Sequence, residues 1–223
     1  MEYTMYDTLR HLPLFQGMSQ TELSVILDKV KLNFLKFADK EIIFRQGEPC
    51  DKLVLLIAGQ LTSETVAPCG TFSLEETLER PAIVELHSLF GKCPSYKATY
   101  RACGETALLT IEKQYIYSVL TNYDIFRMNF FNQLSNIANR QHEQRWSIMP
   151  QSLDGRLRHL ISTLCSTPHG RKILRITMDD LAQLLDDTRL NISNTLNQWQ
   201  NEGFIEMRRK EYVILDLERL NAI

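Results

Sequence analysis

Polar side chains between residues 188 and 198 have the chemistry needed to bind the edges of DNA base pairs. One face of a predicted helix that starts at Thr188 carries Arg189, Asn191, Asn194 and Gln198, and Leu190 is a further candidate for base contact. Arginine can pair with guanine through two hydrogen bonds, asparagine or glutamine can pair with adenine, and leucine can meet a thymine methyl. The other face carries Ile192, Leu196 and Trp199 at spacings of four and three, which predicts a buried stripe. We therefore predict that this helix lies in a major groove.

The residues just upstream predict a first helix and a tight turn. Its apolar face consists of Leu181, Ala182, Leu184 and Leu185. Thr177 followed by an acid at Asp180 is close to a capping box, which marks a helix start. Asp186–Thr188 then interrupts the apolar run with turn and cap residues, so a second helix is predicted to begin at Thr188.

A basic hairpin is predicted after the second helix. Gly203 is expected to end that helix, and 204–207 and 212–215 are predicted to be two short strands. The tip between the strands holds Arg208, Arg209 and Lys210, which are suited to contact with phosphates. Helix, turn, helix and basic hairpin together predict a winged helix-turn-helix. The alternative is an amphipathic helical pair that caps a hydrophobic core.

Upstream, residues 31–111 alternate short β-rich runs with turn residues. Ile42–Phe44 and Leu53–Ile57 are examples, and Gly59 is expected to separate two strands. Many short strands at such intervals predict an antiparallel jelly roll that holds one small ligand or a packed core. The fold class is thus α+β, with a jelly roll at the N-terminus and a winged helix-turn-helix at the C-terminus. The predicted domains are 1–111, a long helical segment 112–149, and 150–223, with Pro150 ending the long helix.

The helical segment carries an apolar stripe at spacings of three and four. Its members are Val119, Tyr123, Phe126, Phe130, Leu134 and Ile137. Such a stripe predicts pairing with the same helix of a second copy. Two DNA-binding helices that each bind one half of a palindromic site must be related by a two-fold axis, which such pairing would supply. The alternative is that the helix packs on its own barrel.

Composition limits the remaining classes of function. The 223 residues carry a net charge of −2, and basic and acidic residues are equal in number from residue 151 onward, so any affinity for DNA must be local. There is no membrane span and no secretory signal, so the expected location is the cytoplasm.

The five cysteines are widely spaced, which predicts reduced thiols and neither a metal site nor a cofactor. No nucleophile elbow or phosphate loop appears, so an enzyme is not expected.

The order of these parts resembles the CRP/FNR family of bacterial transcription regulators. The resemblance rests on Leu12–Phe15 with Gly17–Ser19, on Ile42–Glu48 followed by Ala58-Gly59, and on Leu181-Ala182 through Thr188-Arg189, Leu196 and Gly203–Ile205. The amino-acid sequence of Asp187–Ser193 resembles the corresponding segment in regulators of Bacteroides-type bacteria. The resemblance implies a homodimer that binds a near-palindromic duplex and meets RNA polymerase. It also implies that Arg189 contacts guanine, whereas Leu190 and Asn194 stand where the family often has Glu and Arg.

The effector cassette departs from that family. In members that bind cyclic AMP, the cassette reads roughly F-G-E, a short helix, then R-[ST]-A, with Glu on the ribose and Arg on the cyclic phosphate. Here Lys92 replaces the Glu and Tyr96 falls at the Arg, with Lys97 beside it. An ammonium only donates hydrogen bonds, and a phenol cannot replace a guanidinium fork. The expected pocket comprises Phe90, Gly91, Lys92, Tyr96, Lys97, Tyr100 and Gln141.

We therefore expect that cyclic AMP is not bound in the usual way. Two interpretations of the pocket stay open: it receives another anion through Lys92 and Lys97, or aromatic side chains fill it. An iron–sulfur sensor is not expected, since no cysteine precedes Cys50, and His87 with Cys93 is a weak pair for haem. The competing function is an effector-binding module that signals through protein partners without contacting DNA.

Overall fold

Two separate hydrophobic cores organise the chain in the computed structural model, which describes residues 5–167 and 169–222. Unit 1 comprises the residues up to 61 together with 78–143, and unit 2 comprises 62–77 together with the residues from 144 onward. The segment 62–77, which the sequence analysis placed in the N-terminal domain, therefore belongs to unit 2. The predicted domain ends at residues 1 and 223 lie outside the described residues.

Unit 1 begins with two helices, α1 (Met5–His11) and α2 (Gln20–Lys29). Helix α2 begins with a capping box. The Ser19 hydroxyl accepts a hydrogen bond from the Glu22 N–H at 3.2 Å, and the Glu22 carboxylate accepts one from the Ser19 N–H at 2.8 Å. This capping box satisfies two backbone donors that the first turn leaves open.

Antiparallel strands follow these helices. They are β1 (Leu32–Phe37), β2 (Ile42–Phe44), β3 (Lys52–Val66), β4 (Phe72–Glu79), β5 (Ala82–Val84) and β6 (Thr99–Glu112). Both β1 and β2 pair with β6, and β5 pairs with β3 around Leu55 and Ile83. The antiparallel sheet domain predicted for this part of the chain is confirmed.

Strand β3 runs through Gly59, where the sequence predicted a break. Gly59 has a φ of +76°, and a Cβ there would lie 2.3 Å from the carbonyl oxygen of Glu105. The glycine thus permits a close approach of β6 and does not end the strand. Strand β6 likewise runs without a break from Thr99 to Glu112.

The predicted long helix is broken near its start. Helix α3 (Lys113–Ser118) and a 3-10 turn (Leu120–Asn122) precede α4 (Asp124–Trp146), so Val119 and Tyr123 are not part of α4.

The apolar stripe of this segment packs on its own barrel. Phe126 is 0% exposed and Phe130 is 6% exposed, and the Phe126 ring lies 5.3 Å from that of Phe15. The prediction that these two phenylalanines form a dimer interface is wrong, because side chains buried in one copy cannot contact another. The other four members of the stripe, Val119, Tyr123, Leu134 and Ile137, are half-buried against the same core.

Unit 2 carries the elements of the predicted winged helix-turn-helix. They are α5 (Leu153–Leu164), β7 (Lys172–Ile176), α6 (Met178–Leu185), α7 (Arg189–Asn201), β8 (Ile205–Arg208), β9 (Glu211–Ile214) and α8 (Leu217–Asn221). Strand β4 joins this unit, in the order β4-β7-β9-β8. Within the described ranges, no helix combines the length and the apolar character needed to cross a bilayer.

Candidate DNA-binding surface and sensor pocket

Helix α7, which we call the recognition helix, buries one face and exposes the other. Ile192, Leu196 and Trp199 are buried, as the spacing predicted. The Trp199 indole N–H donates to the Asp154 carboxylate at 2.7 Å, which anchors the helix from behind. All six residues predicted to contact DNA from this helix and its cap are exposed, namely Thr188, Arg189, Leu190, Asn191, Asn194 and Gln198.

The turn between α6 and α7 is held by its two aspartates. Asp186 has a φ of +48°, a left-handed conformation that aspartate tolerates better than most residues. Asp187 accepts hydrogen bonds from the Thr188 N–H and the Asn191 amide, each at 2.8 Å, and pairs with Arg156 at 2.5 Å. The bond from Asn191, followed by that from Thr188, lowers the pKa of the Asp187 carboxyl below its ordinary value. The turn is thus fixed by a charged cluster that also reaches α5.

Acidic neighbours engage some of the predicted base-contacting side chains. Arg189 forms an ion pair with Asp179 at 2.9 Å, and Gln198 donates to Glu202 at 2.9 Å. The Asn191 amide is committed to the turn. Among the described residues the Asn194 side chain has no hydrogen-bond partner, so it presents both a donor and an acceptor.

The wing presents exposed basic residues at its tip. Strands β8 and β9 pair from Ile205 to Arg208, and Lys210 closes the turn with a φ of +61°. Arg208 pairs with Glu206 at 3.0 Å. Within the described part of the chain, Arg209 and Lys210 form no ion pair, which leaves their charges available to phosphates.

Two residues that shape this surface, Asp179 and Arg156, carry no recognisable signal in the sequence. Asp179 was indistinguishable from the acids that favour any helix start, and only the structure shows that it faces Arg189. Arg156 lies on another helix, 31 positions from Asp187, and no local pattern links them.

The expected sensor pocket is built around a residue that the sequence analysis did not select, Glu85. Its carboxylate accepts hydrogen bonds from the N–H groups of Lys97 at 2.8 Å and of Ala98 at 2.9 Å. The hydroxyls of Tyr100 and Ser88 donate to it at 3.1 Å and 2.6 Å. Glu85 is 9% exposed, so these four donors converge on a buried carboxylate.

Aromatic side chains fill the space beside Glu85. Tyr96 stacks on Phe44 with ring centroids 4.3 Å apart and meets the Tyr100 ring edge-on at 6.3 Å. Both tyrosines are buried. Burial, followed by the neighbouring thiol of Cys50, raises the pKa of the Tyr96 phenol, which therefore stays neutral.

The other predicted pocket residues do not join this cluster. Phe90 packs edge-on against Phe130 and lies under the Lys113 ammonium, 4.7 Å from its ring centroid. Gly91 is exposed, as are the side chains of Lys92, Lys97 and Gln141. Lys97 contributes its backbone N–H, while its ammonium donates to Ser95. A pocket formed by all seven predicted residues is therefore wrong. Of the aromatic side chains in the expected pocket, Tyr96 and Tyr100 are buried beside Glu85, and Phe90 is exposed.

An antiparallel β domain together with a winged helix-turn-helix is the architecture of one class of protein, the DNA-binding transcription regulators. Two family models match the chain. The model described as "Cyclic nucleotide-binding domain" matches residues 34–123, and the one described as "Crp-like helix-turn-helix domain" matches residues 155–223. Together they account for more than half of the chain. The chain belongs to the CRP/FNR family of transcription regulators.

Characterised relatives resemble the chain over most of its length. A CRP-like cAMP-activated global transcriptional regulator from Mycobacterium tuberculosis is 21% identical over 227 residues, which is 97% of this chain and 98% of the relative. The sensor domain of the regulator DNR from Pseudomonas aeruginosa is 20% identical and covers 66% of this chain and 93% of its own, with a TM-score of 0.50. The catabolite activator protein of Thermus thermophilus is 18% identical over 94% of this chain and 96% of its own, with a TM-score of 0.48.

The residues of the domain that matches the cyclic nucleotide-binding model do not fit cyclic AMP. The N–H groups of Lys97 and Ala98 already bind the carboxylate of Glu85, so an incoming phosphate would meet a buried acid at those donors. Tyr96, which the resemblance places at the family's phosphate-binding arginine, is buried in a stack, and the side chain of Lys92 is exposed to solvent.

Proposed function

We propose that this protein is a homodimeric regulator that recognises a specific, near-palindromic DNA sequence through the recognition helix. The observation that carries the proposal is the exposed face of that helix, with Arg189, Leu190 and Asn194 directed away from the core. Arginine at this position suits guanine, leucine a thymine methyl and asparagine an adenine. The tip of the wing would contact phosphates and set the register on the duplex.

A surface for dimerisation lies on the exposed side of α4. Met128 and Phe131 are 54% and 52% exposed, and Ser135, Ala138 and His142 continue the same face at spacings of four, three and four. These spacings are those of a coiled-coil seam, and large apolar side chains gain most by burial against a second copy. The small residues in its middle would let two helices approach closely. Such a dimer would present its recognition helices about 34 Å apart, on successive major grooves.

The fold supports regulation, and we infer no catalytic role. A protein that binds chromosomal DNA is expected to act in the cytoplasm, and RNA polymerase is a natural partner once the dimer is seated near a promoter. Cyclic AMP is not proposed as an effector, since an exposed Lys92 and a buried Tyr96 stand where the resemblance expects the ribose-binding Glu and the phosphate-binding Arg.

Selection on randomised duplex DNA tests this function. The full-length protein, without added effector and at near-physiological salt, is expected to enrich a sequence with two-fold symmetry and half-sites one helical turn apart. The Arg189→Ala variant serves as the control, because it keeps the fold and should lose the guanine-dependent part of the motif.

The opposite outcome also has a clear meaning. If an intact dimer enriches no sequence, specific binding without effector is excluded. The competing function, an effector-binding module that acts through protein partners, would then be favoured.

A further inference from the structure

The carboxylate of Glu85 lies in a site with the chemistry of an anion receptor. Two backbone N–H groups and two hydroxyls point at one pair of oxygen atoms, with distances from 2.6 to 3.1 Å. Within the described ranges, no lysine or arginine forms an ion pair with Glu85. A buried carboxylate is usually compensated by a cation, but here hydrogen-bond donors alone stabilise the charge.

The backbone of Glu85 adopts a strained conformation that places its carboxylate among these donors. Its φ of +40° and ψ of 50° place it in the left-handed region, which a glutamate rarely adopts. The residue precedes the 3-10 turn Leu86–Ser88, and its side chain reaches the backbone of residues 97 and 98 across the intervening loop. Strain of this kind persists where the surrounding structure imposes it, and it concentrates at functional sites.

We propose that Glu85 is a built-in ligand of the sensor domain. Its carboxylate occupies a preformed receptor for a small oxyanion, so the pocket is liganded by the chain itself. The consequence, which rests on the proposed function, is a regulator whose barrel holds its bound form without a diffusible phosphate ester.

The donor set explains why the occupant is an oxyanion. Backbone N–H groups and hydroxyls that converge on one point stabilise negative charge, and two of these donors come from successive residues, as in anion-binding nests. Carboxylate and phosphate both offer several lone pairs to such a set. Removal of the side chain should therefore leave a vacancy for formate, acetate or inorganic phosphate.

The experiment is chemical rescue of a cavity variant. Glu85→Gly removes the carboxylate, and glycine accepts the left-handed backbone without strain. The full-length variant should melt at a lower temperature than the wild type, because four donors, three of them buried, lose their acceptor. Sodium formate or phosphate should then raise its melting temperature in a saturable way, by roughly 5–10 °C at a hundredfold excess over the dissociation constant. Sodium chloride at equal ionic strength should not.

Two further variants distinguish an anion-binding site from hydrogen bonds that only hold the loop in place. Glu85→Gln fills the same space, so it should be destabilised without being rescued by any anion. Glu105→Gln removes an equal charge from an exposed position and should behave like the wild type in every salt. The wild type itself should show no saturable response to phosphate or cyclic AMP.

Either of two results would overturn the proposal. One is a Glu85→Gly variant that stays folded and responds to formate and phosphate no more than to chloride. The other is a wild type that phosphate stabilises as strongly as it stabilises the variant. If the variant is recovered only unfolded, the same anions should restore folding, and failure to do so also counts against the site. Since melting involves no DNA, this result is independent of the selection experiment that tests the proposed function.

Discussion

The guanidinium of Arg189 lies 2.9 Å from the carboxylate of Asp179, so the first turn of α6 holds the side chain with which the recognition helix would contact DNA. Both side chains are more than 60% exposed. The pair is therefore weak, as surface ion pairs are, and a duplex can compete for the arginine. Asp179 orients the Arg189 side chain in the free protein, and its negative charge would oppose the approach of phosphates. We therefore expect tighter binding at sites where a guanine can replace Asp179 as the partner of Arg189.

Replacing Arg189 with alanine should weaken binding to the selected operator by roughly 5- to 150-fold, the range expected for loss of one bidentate base contact. Binding to an unrelated duplex should change far less, because the wing phosphate contacts remain. Fluorescence anisotropy with both duplexes measures the ratio. Equal losses on the two duplexes would show that Arg189 contacts only the phosphate backbone.

Replacing Asp179 with asparagine should raise DNA affinity by roughly 1.5- to 5-fold and reduce the preference for the operator. The substitution frees Arg189 and removes a negative charge that faces the duplex. Asp28→Asn, which makes the same charge change on α2 in unit 1, is the matched control. If both variants gain equally, the effect is one of net charge and Asp179 has no special role.

Local sequence signals predicted the elements of this surface, but not the contacts between them. The helix caps at Thr177 and Thr188 depend on residues three positions apart, and both are confirmed. The apolar stripe that contains Phe126 also predicted a helix correctly. Helical periodicity, however, does not show whether such a stripe packs against the barrel of its own chain or against a second copy. Glu85 carried no signal at all, because its role depends on backbone donors 12 and 13 positions away.

A lysine at Phe131 should convert the dimer to a monomer. The side chain is half exposed on the proposed seam, and a charge there would be buried against its counterpart. Light scattering coupled to size exclusion measures the mass. Tyr117→Lys on α3, equally polar and also at an exposed site, should leave the dimer intact.

A substitution at the neighbouring phenylalanine distinguishes the two faces of α4. Phe130→Ala should destabilise the barrel by about 3–5 kcal/mol without favouring monomers among the folded molecules. A Phe131→Lys protein that remains fully dimeric would place the interface elsewhere.

The Asp187 cluster makes an acid-sensitive contribution to stability. The pKa of the Asp187 carboxyl is lowered in the folded chain. Its carboxylate therefore stabilises the fold fully at pH values above 3.8, the ordinary pKa of the group. This stabilisation is lost as the pH falls through the lowered pKa. Asp187→Asn should be less stable than the wild type between pH 5 and 7, the difference closing below about pH 4. Urea unfolding across this range provides the comparison.

The matched control is Asp186→Asn. Its stability should be nearly that of the wild type, because asparagine also tolerates the left-handed turn. A pH-independent deficit in Asp187→Asn would assign its role to shape alone.

The buried ion pair between Glu76 and Lys172 should dominate the stability of unit 2. The two residues face each other across β4 and β7, the Lys172 side chain is 0% exposed, and its ammonium lies 2.8 Å from the Glu76 carboxylate. Glu76 also accepts the N–H of Ser166, and Lys172 donates to the Thr167 hydroxyl. Replacing only Glu76 with glutamine leaves a buried ammonium without its counter-charge, which typically costs about 3–5 kcal/mol.

The double variant Glu76→Gln, Lys172→Met removes both charges and is the test of this explanation. It should recover most of the lost stability, because neutral, well-packed replacements of a buried pair are often tolerated. Urea unfolding of the single and double variants gives the coupling between the two sites. A double variant as unstable as Glu76→Gln alone would show that the carboxylate matters through its bond to the Ser166 backbone, and that its charge does not.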